Sequence, residues 1–151
     1  MADSNPGPAA EKALGIDLFN ETWSFLEKTS RTEGETEAMI NACHASFHHW
    51  SRAADVTPTN LAIGLWQLSR VYAAAGVAER SEHYARLCFR EAERAEPWVV
   101  GSAHEALARA ASLRGDSAGR DRHLAEARKV ADAQDDKETR DILLRDIESV
   151  P

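Results

Sequence analysis

Apolar residues recur at three- and four-residue spacing along nearly the whole chain after residue 15, which is the period of an α-helix. No stretch alternates between apolar and polar residues for long enough to predict a β-strand. Turn signals divide the pattern into seven predicted helices, at about 16–28, 34–53, 58–75, 78–94, 97–115, 116–133 and 136–149. We therefore expect an all-α protein, with a mobile tail rich in proline and small residues over 1–14 and one helical domain over 15–151.

The clearest local signals lie at the ends of the third predicted helix. Thr57 is a good N-cap, and Pro58 takes the first helical position, where its missing N–H costs nothing. Gly76 follows the last apolar residue, and glycine readily ends a helix in the left-handed conformation. Because the connections are short, neighbouring helices should be antiparallel. This predicts hairpins over about 16–53, 58–94 and 97–133, followed by a last helix over about 136–149.

Two segments of the chain are similar to each other at a distance of 39 residues. Residues 65–76 read LWQLSRVYAAAG, and residues 104–115 read HEALARAASLRG. The offset aligns Leu68 with Leu107, Arg70 with Arg109, and Gly76 with Gly115. Self-similarity at such a period is typical of stacked helix hairpins, in which each repeat buries its apolar face against the next.

With these residues, the chain over about 60–133 resembles a tetratricopeptide repeat protein. The repeat is 39 residues long, against a usual length of 34. Ala85 and Leu124 replace the large aromatic residue usual in the second helix. The resemblance implies a right-handed stack of three antiparallel hairpins and a C-terminal capping helix. The stretches HASFHHW (44–50) and NLAIGLWQLSRVYAAAG (60–76) also resemble a group of small bacterial helical proteins, which implies a fold and no function.

Charge and composition narrow the classes of partner. The net charge of −7 argues against non-specific binding to nucleic acid and against electrostatic binding to an anionic membrane surface. Cys43 and Cys88 both fall on apolar helix faces and are predicted to be reduced, buried thiols. The N-terminus lacks the pattern of a signal peptide, so we expect a cytoplasmic protein. The exposed ends of helical stacks can pair, which leaves a homo-oligomer open.

The resemblance implies that the first helix of each hairpin lines a concave groove. Residues placed at about 100° steps give these helices a second face besides their core stripe. That face holds Asn20, Trp23 and Glu27 on the first helix, Ile63, Trp66 and Arg70 on the third, and Glu105 and Ser112 on the fifth.

Trp23 and Trp66 lie at similar angles on neighbouring first helices. An aromatic pair with an arginine and carboxylates suits a ligand with an apolar body and polar ends. We therefore expect a non-enzymatic binding module whose groove takes a peptide, a partner protein or a small molecule. The other interpretation is structural: the tryptophans pack at the seam between repeats, and Arg70 forms a salt bridge with Glu105.

The alternative function is a metal-binding protein or a metal-dependent enzyme. His44 and His48 are four residues apart, so their rings can lie on one helical face and bind one divalent ion. A third ligand would come from another helix, with Glu27 and Glu105 as candidates. The structural interpretation is that both histidines bridge core and solvent.

Other chemistry has little support in the sequence. There is no glycine-rich phosphate loop, no CxxC motif and no nucleophile elbow. Besides a possible divalent metal, no cofactor is expected, and an enzyme is less expected than a binding module. His104 and His123 have no predicted partner.

Overall fold

The computed structural model describes residues 5–151, which form seven α-helices and no β-strand. The helices are α1 Pro8–Leu26, α2 Glu33–Arg52, α3 Pro58–Ala74, α4 Ala78–Ala92, α5 Val99–Leu113, α6 Ser117–Asp132 and α7 Lys137–Glu148. The predicted fold class, all-α, is therefore confirmed. No helix of this part of the chain combines the length and apolar character needed to cross a membrane.

The helices pack in consecutive pairs, α1 with α2, α3 with α4, and α5 with α6. Neighbouring pairs meet through α2 and α3, through α4 and α5, and through α3 and α5. The last helix, α7, packs on α6 and α5. The main apolar core is formed by buried residues of α2, α3, α4 and α5. A smaller apolar cluster joins α6 to α7 and consists of Ala127, Ala131, Leu143 and Ile147. This arrangement is compatible with a helical-repeat fold.

Local signals place the turns of the second and third hairpins. Gly76 and Gly115 both have φ of +77°, the left-handed conformation that glycine adopts without a steric penalty. At the start of α3, the Thr57 side chain accepts from the Asn60 N–H, and the Asn60 side chain accepts from the Thr57 N–H. These reciprocal bonds satisfy backbone donors that the first helical turn leaves free. The helix ends agree with the prediction to within two residues, except for the start of α1.

The start of α1 differs from the prediction. A mobile tail was predicted over 1–14, but helix begins at Pro8; residues 1–4 lie outside the described part of the chain. The reason is a long-range contact. Glu11 is buried, and its carboxylate accepts from His49 Nδ1 at 2.6 Å and from Arg52 Nε at 2.8 Å, both on α2. These charge-assisted bonds attach the first turns of α1 to the fold.

Candidate binding groove

The odd-numbered helices together line a cavity of about 550 Å³. We call it the charged cavity, because Glu27, Arg70, Arg145 and Asp146 line it together with aromatic and aliphatic side chains. Its lining residues are Trp23, Glu27, Ile63, Trp66, Arg70, Trp98, Ser102, Ile142, Arg145, Asp146 and Ser149. They come from α1, α3, α5 and α7 or from the residues that cap them.

A second, mostly apolar cavity of about 290 Å³ adjoins the first. We call it the apolar cavity, and its lining is Ile16, Phe19, Trp50, Thr59, Asn60, Ile63, Gly64 and Trp98. Ile63 and Trp98 line both cavities. The two cavities therefore adjoin, and we call them together the groove; charged side chains line only the larger one.

Trp66 and Glu105 form the floor of the charged cavity. The indole Nε1 of Trp66 donates to Glu105 Oε2 at 2.7 Å, and the side chain of Glu105 is only 1% exposed. The two residues occupy equivalent positions in consecutive repeats, 39 residues apart. Trp66 itself is 7% exposed, so it supports the groove from below and offers a ligand little surface.

Two arginines at equivalent repeat positions balance the buried charge of Glu105. Arg109 donates to Glu105 Oε1 from Nε at 2.8 Å and from Nη2 at 2.6 Å. Arg70 Nη1 lies 3.4 Å from the same oxygen. A buried carboxylate is costly unless it is paired and hydrogen-bonded, and here three side chains supply its partners. Arg70 and Glu105 thus form the inter-repeat ion pair that the structural interpretation of the sequence described.

Trp23 is the accessible aromatic side chain of this cluster. Its ring centroid lies 5.6 Å from that of Trp66, and Arg70 Cζ lies 5.8 Å from both centroids. Trp23 is half-buried and lines the charged cavity. Cation–π contacts and the Glu105 pair fix the Arg70 guanidinium in place. Burial, as the main cause, lowers the pKa of Arg70.

The helix α7 supplies charged groups to the groove. Asp146 Oδ1 lies 4.0 Å from Arg70 Nη1, and burial, followed by the charge of Glu105, raises the Asp146 pKa to about 6. Arg145 on α7 and Glu27 on α1 are exposed, and neither forms an ion pair within residues 5–151. The groove therefore offers a ligand one cation and one carboxylate whose charges are not already used.

The structure distributes the predicted groove residues among different places. Those that line the charged cavity are Trp23, Glu27, Ile63, Trp66 and Arg70. Glu105 lies beneath it as part of the floor. Asn20 is exposed on α1 and does not line either cavity. Ser112 lines a separate recess beside Arg109, where its hydroxyl donates to the Pro151 carbonyl at 2.7 Å.

Sequence reasoning missed the contributions of Trp98, Ser102 and α7. From the sequence, α7 was predicted only as a C-terminal capping helix. In chain order α7 follows three helix pairs, as the first helix of a fourth pair would. This order was the signal in the sequence that α7 could line the groove together with α1, α3 and α5. Ile142, Arg145 and Asp146 on this helix line the charged cavity together.

The predicted metal pair lies away from the groove. His44 Nε2 is 2.8 Å from the Tyr72 hydroxyl, and burial, more than the charge of Arg80, lowers the His44 pKa. His48 is exposed. The third-ligand candidates, Glu27 and Glu105, belong to the groove instead. Within residues 5–151, no three or more histidine, cysteine, aspartate or glutamate side chains converge in a way that would hold a metal ion.

No family model matches the chain, and neither a curated protein nor a solved structure is significantly similar to it. The likeness to tetratricopeptide repeats thus rests on the chain's own residues. A functional proposal has to rest on the geometry of the groove.

Proposed function

We propose that this protein is a non-enzymatic binding module, built as a tetratricopeptide-like right-handed stack, and that its groove holds a peptide segment of a partner protein. One observation carries the proposal: residues of all four odd-numbered helices line two adjoining cavities, one almost wholly apolar and the other combining aromatic with charged side chains. Grooves of this kind, with an apolar pocket and a few oriented polar groups, are typical of binding sites.

The groove indicates the chemistry of the segment. The apolar cavity, walled by Phe19, Ile63 and Trp98, suits one large aliphatic or aromatic side chain. The charged cavity suits a neighbouring stretch that carries both signs of charge, because Glu27 and Arg145 each lack an ion-pair partner within the described chain. A cationic residue of the segment would meet Glu27, and an anionic residue would meet Arg145.

The floor of the groove supports binding by being fixed before a ligand arrives. The Trp66 indole, Arg70 and Arg109 all hold the buried carboxylate of Glu105. A surface already held in one arrangement loses less conformational entropy when a ligand binds. Trp23, stacked near Arg70, is the aromatic side chain placed to contact the segment directly.

The test uses two groove variants and a matched control. Trp23→Ala removes the accessible indole, and Ile142→Asp places a charge at an exposed apolar position of the groove. Leu14→Asp is the control, because Leu14 is exposed to a similar extent, 38% against 44% for Ile142, but does not line the groove. Trp66 is a poor probe, since its removal would leave Glu105 short of a donor.

Peptides selected from a random display library against the wild-type protein would be measured by fluorescence polarisation against each variant. We expect Trp23→Ala and Ile142→Asp to weaken binding at least about tenfold, which is the loss of one ordinary anchor contact. Leu14→Asp should bind like the wild type. The proposal fails if no peptide is enriched, or if the selected peptides bind both groove variants with unchanged affinity.

A further inference from the structure

Two histidines from different helices face each other inside the third hairpin. His104 Nδ1 on α5 and His123 Nδ1 on α6 are 3.1 Å apart, and their ring centroids are 5.4 Å apart. Both residues are half-buried. The ring of Phe89 on α4 packs edge-on against His104 at a centroid distance of 5.0 Å. The pair therefore lies where three helices meet, with one nitrogen of each ring directed at the other.

The preceding hairpin shows what packing alone requires at these positions. At the 39-residue offset, His104 corresponds to Leu65 and His123 to Tyr84. Leu65 belongs to the main apolar core, and Tyr84 packs against it. Packing in that hairpin is thus satisfied without a pair of imidazoles at these two positions. The two imidazoles of the third hairpin supply a chemistry that helix packing does not need.

The surroundings lower the pKa of both imidazoles, which favours their neutral form. Burial is the main cause that lowers the pKa of His104 and of His123. Arg122 lowers the pKa of His123 further, whereas the carboxylates of Glu126 and Asp116 act in the opposite direction. In the hydrogen bond between the rings, one Nδ1 carries a proton and donates it to the other. When both rings carry their proton on Nε2 instead, two neighbouring Nδ1 lone pairs are free to bind a cation.

We propose that His104 and His123 bind one late first-row divalent metal ion, such as Cu²⁺, Ni²⁺ or Zn²⁺, through their Nδ1 atoms. Two metal–nitrogen bonds of about 2.0–2.1 Å at right or tetrahedral angles place their nitrogens about 2.8–3.4 Å apart. The 3.1 Å between the two Nδ1 atoms lies within that range, so the rings need to turn toward a shared ion but not to move apart. Neutral imidazole is the ligand form that these ions prefer.

Solvent completes the coordination, and Glu126 would reach the ion only after leaving its pair with Lys129. Glu126 follows His123 by three residues on α6, which places it on the same side of that helix. Its carboxylate is exposed and bonds to Lys129 Nζ at 2.7 Å, a surface pair that is easily exchanged. The bound ion would join α5 to α6 and stabilise the third hairpin in proportion to metal concentration. This site is independent of the proposed groove.

The experiment uses the full chain without a histidine tag. His104→Leu and His123→Tyr introduce the residues that the preceding hairpin has at the same positions, so both variants should fold. His48→Ala is the control, because His48 is exposed and its loss also breaks the His44/His48 pair. Cu²⁺, Ni²⁺ and Zn²⁺ are titrated by calorimetry, and the spin resonance spectrum of the Cu²⁺ form reports nitrogen ligation.

We expect the wild type and His48→Ala to bind one Cu²⁺ per chain with nitrogen ligation, and to unfold at a higher temperature with the metal. Both hairpin variants should bind at least about tenfold more weakly. Absence of binding to the wild type, or unchanged affinity in His104→Leu, would overturn the proposal. Loss of binding in His48→Ala alone would place the ion at His44 and His48 instead. If either substitution prevents folding, His123→Gln, which keeps a polar side chain, decides by the same criterion.

Discussion

At the scale of single residues, Glu105 organises the floor of the groove. It is almost completely buried, and it accepts hydrogen bonds from Trp66 of the preceding repeat and from Arg109 of its own helix. Removing one donor from a buried carboxylate leaves part of its lost hydration unreplaced. Trp66 is therefore expected to stabilise the fold through its indole N–H as well as through its ring.

Trp66→Phe should lower the free energy of unfolding by about 1–3 kcal/mol, because Glu105 Oε2 loses its donor while an aromatic ring remains. Trp23→Phe is the control, since the Trp23 indole nitrogen makes no hydrogen bond within the described chain and the ring is half-buried. Urea unfolding followed by circular dichroism measures both. Equal losses in the two variants would show that the Trp66–Glu105 bond contributes nothing.

Glu11 provides a residue-scale test of how α1 is attached. The hydrogen bond from Arg52, followed by that from His49, lowers the Glu11 pKa below its ordinary value of 4.5. A carboxylate whose folded pKa is lowered stabilises the fold above its unfolded pKa, and the stabilisation disappears as the pH falls through the folded pKa.

Glu11→Gln should therefore be less stable than the wild type at pH 7, and the difference should shrink as the pH falls below about 4.5. Thermal unfolding at a series of pH values measures the difference. Glu21→Gln serves as the control, because Glu21 is exposed on the same helix and has no ion pair within the described residues. A difference between Glu11→Gln and wild type that stays constant from pH 3 to pH 7 would be inconsistent with this attachment.

The sequence predicted which face of its helix each tryptophan occupies, but not how deeply the side chain is buried. The 100° step of a helix placed Trp23 and Trp66 on one side of their helices, and both line the charged cavity. Trp66 is buried and bonded to Glu105, 39 residues further along the chain, whereas Trp23 is half-buried, and helical periodicity does not distinguish the two. The same limit applies to His104 and His123, because the spacing of each along its own helix says nothing about the residue it meets across the hairpin.

At the scale of helices and turns, locally encoded features were predicted and features held by distant contacts were not. Gly76 and the Thr57–Pro58 start of α3 depend only on nearby residues, and the structure has both. The first turns of α1 carry a weak apolar pattern, and their attachment depends on Glu11 reaching His49 on α2. The spacing of apolar residues along one helix does not reveal such a contact with another helix.

Both hairpin turns should respond equally to loss of glycine. Gly76→Ala and Gly115→Ala should each lower the free energy of unfolding by about 1–2 kcal/mol, because both residues have φ of +77° and a Cβ is strained there. Gly34→Ala should be neutral or slightly stabilising, since Gly34 lies in α2 and a Cβ there would make only an ordinary contact, with Thr32 Oγ1 at 4.0 Å. Chemical denaturation measures all three, and a harmless Gly76→Ala would contradict the turn geometry.

The position of α7 over the groove can be tested through Asp146. Its pKa is raised from 3.8 to about 6 by burial, so ionisation is less favourable in the folded protein than in the unfolded chain. A group with a raised acidic pKa costs stability as the pH rises from its unfolded to its folded pKa. The Asp146 carboxylate should therefore lower the free energy of unfolding of the wild type above about pH 6, and should not affect it below about pH 3.8.

Asp146→Asn should therefore be more stable than the wild type at pH 7, by on the order of 1 kcal/mol after allowance for solvent screening, and similar to it near pH 3.5. Asp141→Asn on the same helix should show the opposite sign, because the hydrogen bond from Lys137 lowers the Asp141 pKa. Urea unfolding at the two pH values measures both. If Asp146→Asn is less stable at pH 7, the Asp146 carboxylate is not buried against the groove as described.

At the scale of the whole molecule, the packing of helix pairs against each other produces a surface that no single pair could form. The odd-numbered helices each contribute side chains to one groove, and α7 adds a fourth wall that the sequence predicted only as a cap. The internal network follows the 39-residue offset of the sequence, which separates Trp66 from Glu105 and Arg70 from Arg109. Binding and stability are therefore expected to share these residues.

The most direct test of this account is a crystal structure of the protein with a peptide selected against it. We predict that the peptide lies along the odd-numbered helices, with an apolar side chain in the cavity walled by Phe19, Ile63 and Trp98, and with its neighbouring residues against Trp23 and Arg145. A peptide seated on α2, α4 or α6, or an α7 that has closed over an empty groove, would contradict it.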